Sequence, residues 1–191
     1  PKKVVTKTLK QWGSIDILIN NAGGPPLGHL EEVDEQIWQK TIETNLMSVV
    51  RFTKSVIPQM KKCNWGRIIS ITSTLAIEPT PSMILSSTVR AAVSAFTKAL
   101  SIEVASKNIS INVICPGGVL TERLENLLKT RSKRENIDYK KLLLESEKSI
   151  PARRFAQPSE IGNIISFLCS EKGAYINGVS LAVDGSLLKS F

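Results

Sequence analysis

An apolar run that ends in a small polar turn, Ile15-Asp16-Ile17-Leu18-Ile19-Asn20-Asn21-Ala22-Gly23, constrains this chain more than any other stretch. It has the length of a strand and little alternation, the pattern of a central parallel strand covered by helices on both faces. In such sheets ligands gather just past the carboxyl ends of the strands, where Asn20 to Gly23 would lie.

The rest of the chain continues that pattern. Val4 to Trp12 reads as the end of a helix closed by Gly13, ahead of a strand from Ile15 to Asn20. Asp34 is placed to cap a long helix whose apolar face is Ile37, Trp38, Ile42, Leu46, Val49, Val50, Phe52 and Val56, spaced by three and four. Gly66 precedes a second strand, Arg67 to Thr72. A loop containing Pro79, Thr80, Pro81 and Ser82 then leads into a helix from Ile84 to Ala105. A third strand is predicted over Ile109 to Ile114, followed after Pro116-Gly117-Gly118 by a charged helical stretch from Glu122 to Ser149. A capped helix from Ser159 to Leu168 and a last strand from Val179 to Val183 complete the set. Strand and helix in alternation predict an α/β fold, a doubly wound parallel sheet with helices on both faces.

Composition narrows the function classes. At 191 residues the sequence reads as a single domain over 1–191. It has no run of eighteen apolar residues and no signal-peptide core near Pro1-Lys2-Lys3, which predicts a cytoplasmic protein with no membrane partner. Cys63, Cys115 and Cys169 are odd in number and far apart, as suits reduced thiols, and His29 is the only histidine, so no metal site is expected. The net charge is +8, and much of the surplus is local: nine basic residues stand against four acidic ones between Lys129 and Arg154. Neither that cluster nor Lys2, Lys3, Lys7 and Lys10 is interleaved with aromatics, so nucleic acid is not an expected partner.

One expected piece is missing. A glycine-rich strand-to-helix turn binds the pyrophosphate in the first unit of a Rossmann-type sheet, and neither Gly-x-Gly-x-x-Gly nor Gly-x-x-x-Gly-x-Gly occurs. The sequence therefore reads as lacking its first two βαβ units, about 60 residues, and as a fragment or ordered part of a longer protein. Ile15 to Ile19 would then form an apolar, unpaired sheet edge.

Six short motifs in order resemble the short-chain dehydrogenase/reductase family, and 3-oxoacyl-carrier-protein reductases within it. They are the Asn20-Asn21-Ala22-Gly23 turn; Thr44-Asn45-Leu46; Gly66 to Ser73; Pro116-Gly117 with Thr121; Pro158-Ser159-Glu160-Ile161 with Phe167-Leu168; and Gly178 with Asp184-Gly185. The resemblance implies a Rossmann-like fold, a homotetramer and NAD or NADP as cofactor. It also implies that Asn21, Ala22, Gly23, Arg90, Pro116, Gly117, Val119 and Thr121 bind the cofactor, and that Asn45, Ser73, Ser86 and Arg90 occupy the catalytic positions. In that family a hydride moves between nicotinamide and a carbonyl or alcohol carbon. A tyrosine transfers the proton, a lysine four residues on lowers its pKa, a serine orients the substrate oxygen and an asparagine holds a water.

The chain departs from the family at that tyrosine. The family spacing from Ser73 lands on Ser86, and Tyr-x-x-x-Lys has become Ser86-Ser87-Thr88-Val89-Arg90. Serine is a far weaker acid with a shorter reach. Arginine keeps its charge and can still donate to ribose hydroxyls. Each position also has a plainer reading: Asn45 as a satisfied core amide, Ser73 as a turn residue, Ser86 as a helix-start residue, Arg90 as half of an ion pair, and His29 as loop surface.

Two functions remain open. One is an NAD(P)-dependent oxidoreductase with an altered site, its proton drawn from water, His29 or a Ser73/Ser86 relay. The other is a non-catalytic nucleotide-binding or assembly subunit on the same fold. The segment Leu120 to Ile150 corresponds to the family's substrate lid. Arg131, Lys133 and Arg134 on it would meet a phosphate or carboxylate on the substrate, with Leu124, Leu127 and Leu128 facing pocket or core.

Overall fold

The computed structural model describes residues 1–190. Four parallel strands, β1 (Ile17–Asn20), β2 (Gly66–Ile71), β3 (Ile109–Pro116) and β4 (Ser180–Val183), form one sheet in the order β1-β2-β3-β4. Ile68 and Ile69 on β2, and Ile111 and Ile114 on β3, are fully buried. Each such side chain contributes about 2 kcal/mol by leaving water, so the central pair anchors the sheet.

Helices cover both faces, as the continuous apolar runs require. Ile68 and Ile111 meet Val56, Ile57 and Met60 of α3 (Ser48–Cys63), Val5 of α1 (Lys2–Trp12) and Val104 of α4 (Ile84–Val104). On the opposite face Ile69 and Ile114 pack against Ile161, Leu168 and Cys169 of α7 (Pro158–Cys169). Gly13 ends α1 with φ 81° and donates its N–H to the Leu9 carbonyl. Ile17 and Ile19 stay 46% and 39% exposed on β1, which pairs only with β2 among the described residues. No helix there is long and apolar enough to cross a membrane.

The observed boundaries correct several expectations. β1 begins at Ile17 because the chain at Ile15 is held instead by its N–H donating to Gln59 Oε1 at 3.1 Å. β3 extends two residues past Ile114 because Cys115 and Pro116 still pair with Ala182 and Val183 of β4. The helix capped by Asp34, whose Oδ1 accepts from the Ile37 N–H at 2.8 Å, is interrupted by a π-helical turn at Ile42–Met47, between α2 (Glu35–Thr41) and α3. That turn rotates the buried face toward Thr41, Asn45, Val49 and Thr53 and leaves Ile42 exposed. The charged stretch is two helices, α5 (Glu122–Glu135) and α6 (Tyr139–Ser149), because Asn136 turns left-handed at φ 52° and Asp138 caps α6 through the Lys141 N–H. α5 and α6 carry a small core of their own, in which Leu128, Leu142, Ile150 and Phe155 are buried.

β4 is held to β3 by side chains as well as by backbone. The fully buried Asn112 donates to the Ile176 carbonyl at 2.8 Å and accepts the Val179 N–H at 3.1 Å. Asn177 accepts the Ile111 N–H at 2.8 Å. Replacing Asn112 by Ala removes both bonds from partly buried backbone groups and should lower unfolding stability by about 1–2 kcal/mol in urea titrations; a loss below a few tenths would show the bonds to be dispensable.

At the start of α7, Arg154 grips both oxygens of Glu160, at 2.6 and 2.7 Å, and the Gln157 N–H adds a third bond at 2.8 Å. Together they push the Glu160 carboxyl down to about 2 from an ordinary 4.5. A carboxyl depressed by folding adds stability that is complete above its unfolded value and is lost as pH falls toward its folded value. The wild type should therefore lose stability between about pH 4.5 and 2 that Glu160→Gln does not lose; parallel acid-side curves for the two proteins would contradict this linkage.

Candidate active site

The carboxyl ends of β2 and β3 separate just beyond a double clasp. The Thr72 N–H and Oγ1 both donate to the Ile114 carbonyl, at 2.8 and 3.2 Å. Past the clasp the chain swings away on both sides, into Ser73 and a short 3-10 turn (Thr74–Ala76) from β2, and into Gly117 and Gly118 from β3. Between them opens a cleft of about 280 Å³. Its walls bring together Ser73, Ser86, Arg90, Pro116, Gly117, Val119 and Thr121 from the predicted set, with Leu75, Met83, Leu124 and Leu127 as apolar lining. Gly118 is required at its place because a Cβ there would run into the Phe155 ring.

Ser86 and Arg90 sit one turn apart on α4, and the Arg90 Nε–H donates to Ser86 Oγ at 3.0 Å. Arg90 Nη1 reaches the Ile71 carbonyl at 3.4 Å. Burial pushes the Arg90 guanidinium below its ordinary pKa, the nearby charge of Arg123 pushes the same way, and Cys115 opposes them. Arg90 has no carboxylate partner among the described residues, so the ion-pair reading of it is corrected: its partners are a hydroxyl and a carbonyl. Ser86 is buried, in the first turn of the helix, and its hydroxyl oxygen accepts from Arg90, which leaves its own proton free to donate.

Asn45 stands behind this cleft. Its Nδ2 donates to the Thr41 carbonyl at 3.3 Å and to Thr44 Oγ1 at 2.9 Å. With Ala22, Ser70, Thr72 and Arg90 it borders a void of about 10 Å³, room for one water at most. Asn21, Ala22 and Gly23 line a separate hollow along β1 with Leu18, Thr44 and Phe52. Arg90 borders both cleft and void, and Ala22 both void and hollow, so the three spaces lie in one line across the sheet end. Gly23 faces open space there, with nothing within 4 Å of where a Cβ would be.

His29 has the loop-surface character of its plainer reading: it is exposed, is fixed through its backbone N–H to Glu32 Oε2 at 2.8 Å, and is not among the residues lining the cleft. The expectation for the basic residues of the lid is not met. Arg131 and Arg134 pair with Glu135, at 2.9 and 3.5 Å, on the exposed side of α5, and Lys133 is exposed beside them. None of the three borders the cleft. The sequence reading missed Arg123, whose Nη2 crosses the cleft mouth to the Pro25 carbonyl at 3.2 Å, and its only signal was its place two residues after Thr121. It also missed Cys115, a buried thiol 3.2 Å from Thr72 Oγ1 whose pKa burial pushes up. Among the described residues no cluster of His, Cys, Asp and Glu could hold a metal ion.

Comparison with known proteins adds to this geometry. The family model described as enoyl-(acyl carrier protein) reductase matches residues 2–187. Dehydrogenase/reductase SDR family member 4 of Homo sapiens is 32% identical over 185 residues, which are 96% of this chain and 63% of that protein. The 3-oxoacyl-acyl-carrier-protein reductase of Buchnera aphidicola is 37% identical over 183 residues, 96% of this chain and 70% of that one. L-sorbose reductase from Gluconobacter frateurii, solved with NADPH and L-sorbose, superposes with a TM-score of 0.92 at 34% identity, covering 98% of this chain and 72% of that structure. The chain thus spans just under two thirds of the first of these relatives.

Proposed function

The chain belongs to the short-chain dehydrogenase/reductase family, and from that premise we propose that it is an NAD(P)-dependent oxidoreductase acting on a small carbonyl or alcohol compound. The observation that carries the reading is the set of hydrogen-bond donors gathered in one cleft: Ser73, Ser86, Arg90 and Thr121, with no carboxylate among them. Such a set fits a dinucleotide, which is anionic and rich in hydroxyls, and the bare backbone of Gly23, which faces open space, lets one approach closely. Asn21, Ala22 and Gly23 would hold it along β1, Pro116, Gly117, Val119 and Thr121 beside β3, and Arg90 between them. When bound, the nicotinamide supplies or takes the hydride at the substrate carbon. The NADPH in the L-sorbose reductase structure supports that choice of cofactor.

The chain's own residues handle the oxygen and its proton. Ser73 Oγ and the free hydroxyl proton of Ser86 hydrogen-bond the substrate oxygen, and the Arg90 Nε–H on Ser86 Oγ makes that hydroxyl a better donor. Serine remains too weak an acid to give up its proton unaided, so water refills it through the void beside Asn45. The segment 120–150 serves as the substrate lid, with Leu124 and Leu127 excluding water from the cleft. The free thiols of Cys63, Cys115 and Cys169 support a reducing compartment, the cytoplasm, and exposed Phe167 and Leu181 at the β4 side support self-association as a tetramer.

A second reading rests on one observation: no Tyr, His or Lys lines the cleft among the described residues. A nucleotide-binding or assembly subunit without turnover would have that character.

Titration with NADH and NADPH, followed by hydride turnover on a panel of small ketones, separates the two. Binding with slow turnover is expected. Ser73→Ala should lower kcat by about a hundredfold, and Ser86→Tyr with Arg90→Lys should raise it. Tight binding with no turnover in the wild type, and turnover only in the double variant, would establish the non-catalytic subunit instead.

A further inference from the structure

We propose that Arg123, acting with Arg90, is the specificity-determining residue of the cleft and selects substrates made of a short apolar skeleton ending in a carboxylate. This inference rests on the cleft being the substrate site of an oxidoreductase.

Two guanidinium groups from different elements converge on the cleft, Arg90 from α4 and Arg123 from the first turn of α5. Neither has a carboxylate within 4 Å among the described residues. Glu122, next in sequence, shares with Arg123, Asn126, Leu127 and Thr130 the neighbouring groove along α5, but its carboxylate does not come within 4 Å of the Arg123 guanidinium. Most other ion pairs of α5 are internal: Glu125 takes Lys129, and Glu135 takes Arg131 and Arg134. Lys129, Arg131 and Arg134 thus have carboxylate partners on α5, whereas exposed Lys133 and cleft-side Arg123 have none among the described residues.

Bringing two like charges together where one is largely buried costs free energy, and the lowered pKa of Arg90 records both contributions. An anion between them would reverse the sign of that interaction. Arg123 is exposed at the cleft mouth, where its guanidinium rests against Gly24 and one of its five N–H groups is spent on the Pro25 carbonyl at 3.2 Å. The remaining donors are free for a bidentate oxyanion. The rest of the lining sets the body of the ligand: Leu75, Met83, Leu124 and Leu127 present apolar surface beside the two cations.

Equilibrium binding of 5-oxohexanoate and of its methyl ester to the full chain tests this without requiring turnover. The wild type should bind the acid about tenfold more tightly than the neutral ester. Arg123→Gln should abolish that preference by weakening the acid alone, Arg123→Lys should keep part of it, and Lys133→Gln on the exposed face of α5 should leave it intact. Equal binding of acid and ester by the wild type would overturn the proposal. So would an Arg123→Gln variant that loses NADPH affinity while its acid-to-ester ratio is unchanged, since the cation would then serve the dinucleotide. A wild type that keeps the acid preference yet fails to bind NADPH would remove the oxidoreductase reading and leave the anion site standing.

Discussion

Everything at the candidate site depends on the pairing of β2 with β3. Six consecutive residue pairs run from Gly66 opposite Ile109 to Ile71 opposite Ile114, fully buried at Ile68, Ile69, Ile111 and Ile114. The Thr72 clasp on the Ile114 carbonyl then fixes the point at which the two chains part. Ser73 and Gly117 take their positions from that point, and α4 is laid against β3 so that Ser86 and Arg90 face the gap. Because Ile68 and Ile111 fill the core under one helical layer and Ile69 and Ile114 the core under the other, the pairing that sets the cleft is clamped from both faces.

The strands and most helices were legible because their signal is repetitive. Ile68-Ile69 and the β-branched Ile109, Ile111, Val113 and Ile114 stand between turn residues, and Asp34 stands where a cap is needed. Single-residue conformations were not legible. The left-handed turn at Asn136 that divides the lid into α5 and α6 is one φ angle in an otherwise helical charge pattern. The π-helical turn at Ile42–Met47 is likewise invisible to spacing by three and four, and it buries Thr41 and Asn45 where the apolar count favoured Ile42.

Within the site, the same division holds. Positions tied to strand ends, Ser73 and Gly117, could be placed from sequence because strand ends locate ligands in this architecture. Arg123 could not, since it is one of three arginines on α5 and only its place two residues after Thr121 sets it apart from Arg131 and Arg134. Only the folded loop after β1, with Gly24 bare and the Pro25 carbonyl turned inward, makes Arg123 the cation that faces the cleft.

The chain's two inward-facing arginines show what distinguishes a structural cation from a working one. Arg67, with no exposed surface, gives Nη1 to the Gly66 and Asn108 carbonyls, stacks 4.4 Å from the Trp65 ring centre, and has Glu171 at 3.7 Å. Its charge is answered by an acid, a ring and two carbonyls, and a buried charge without such answers would cost several kcal/mol. Arg90 is answered only by a serine hydroxyl and one carbonyl, and a second cation stands close by. Arg67 keeps Nε and Nη2 without hydrogen-bond partners, so what separates the two arginines is the acid and ring beside Arg67 and the cation beside Arg90. The charge of Arg90, at the carboxyl end of the central strands, is the one left open to an anion that enters the cleft.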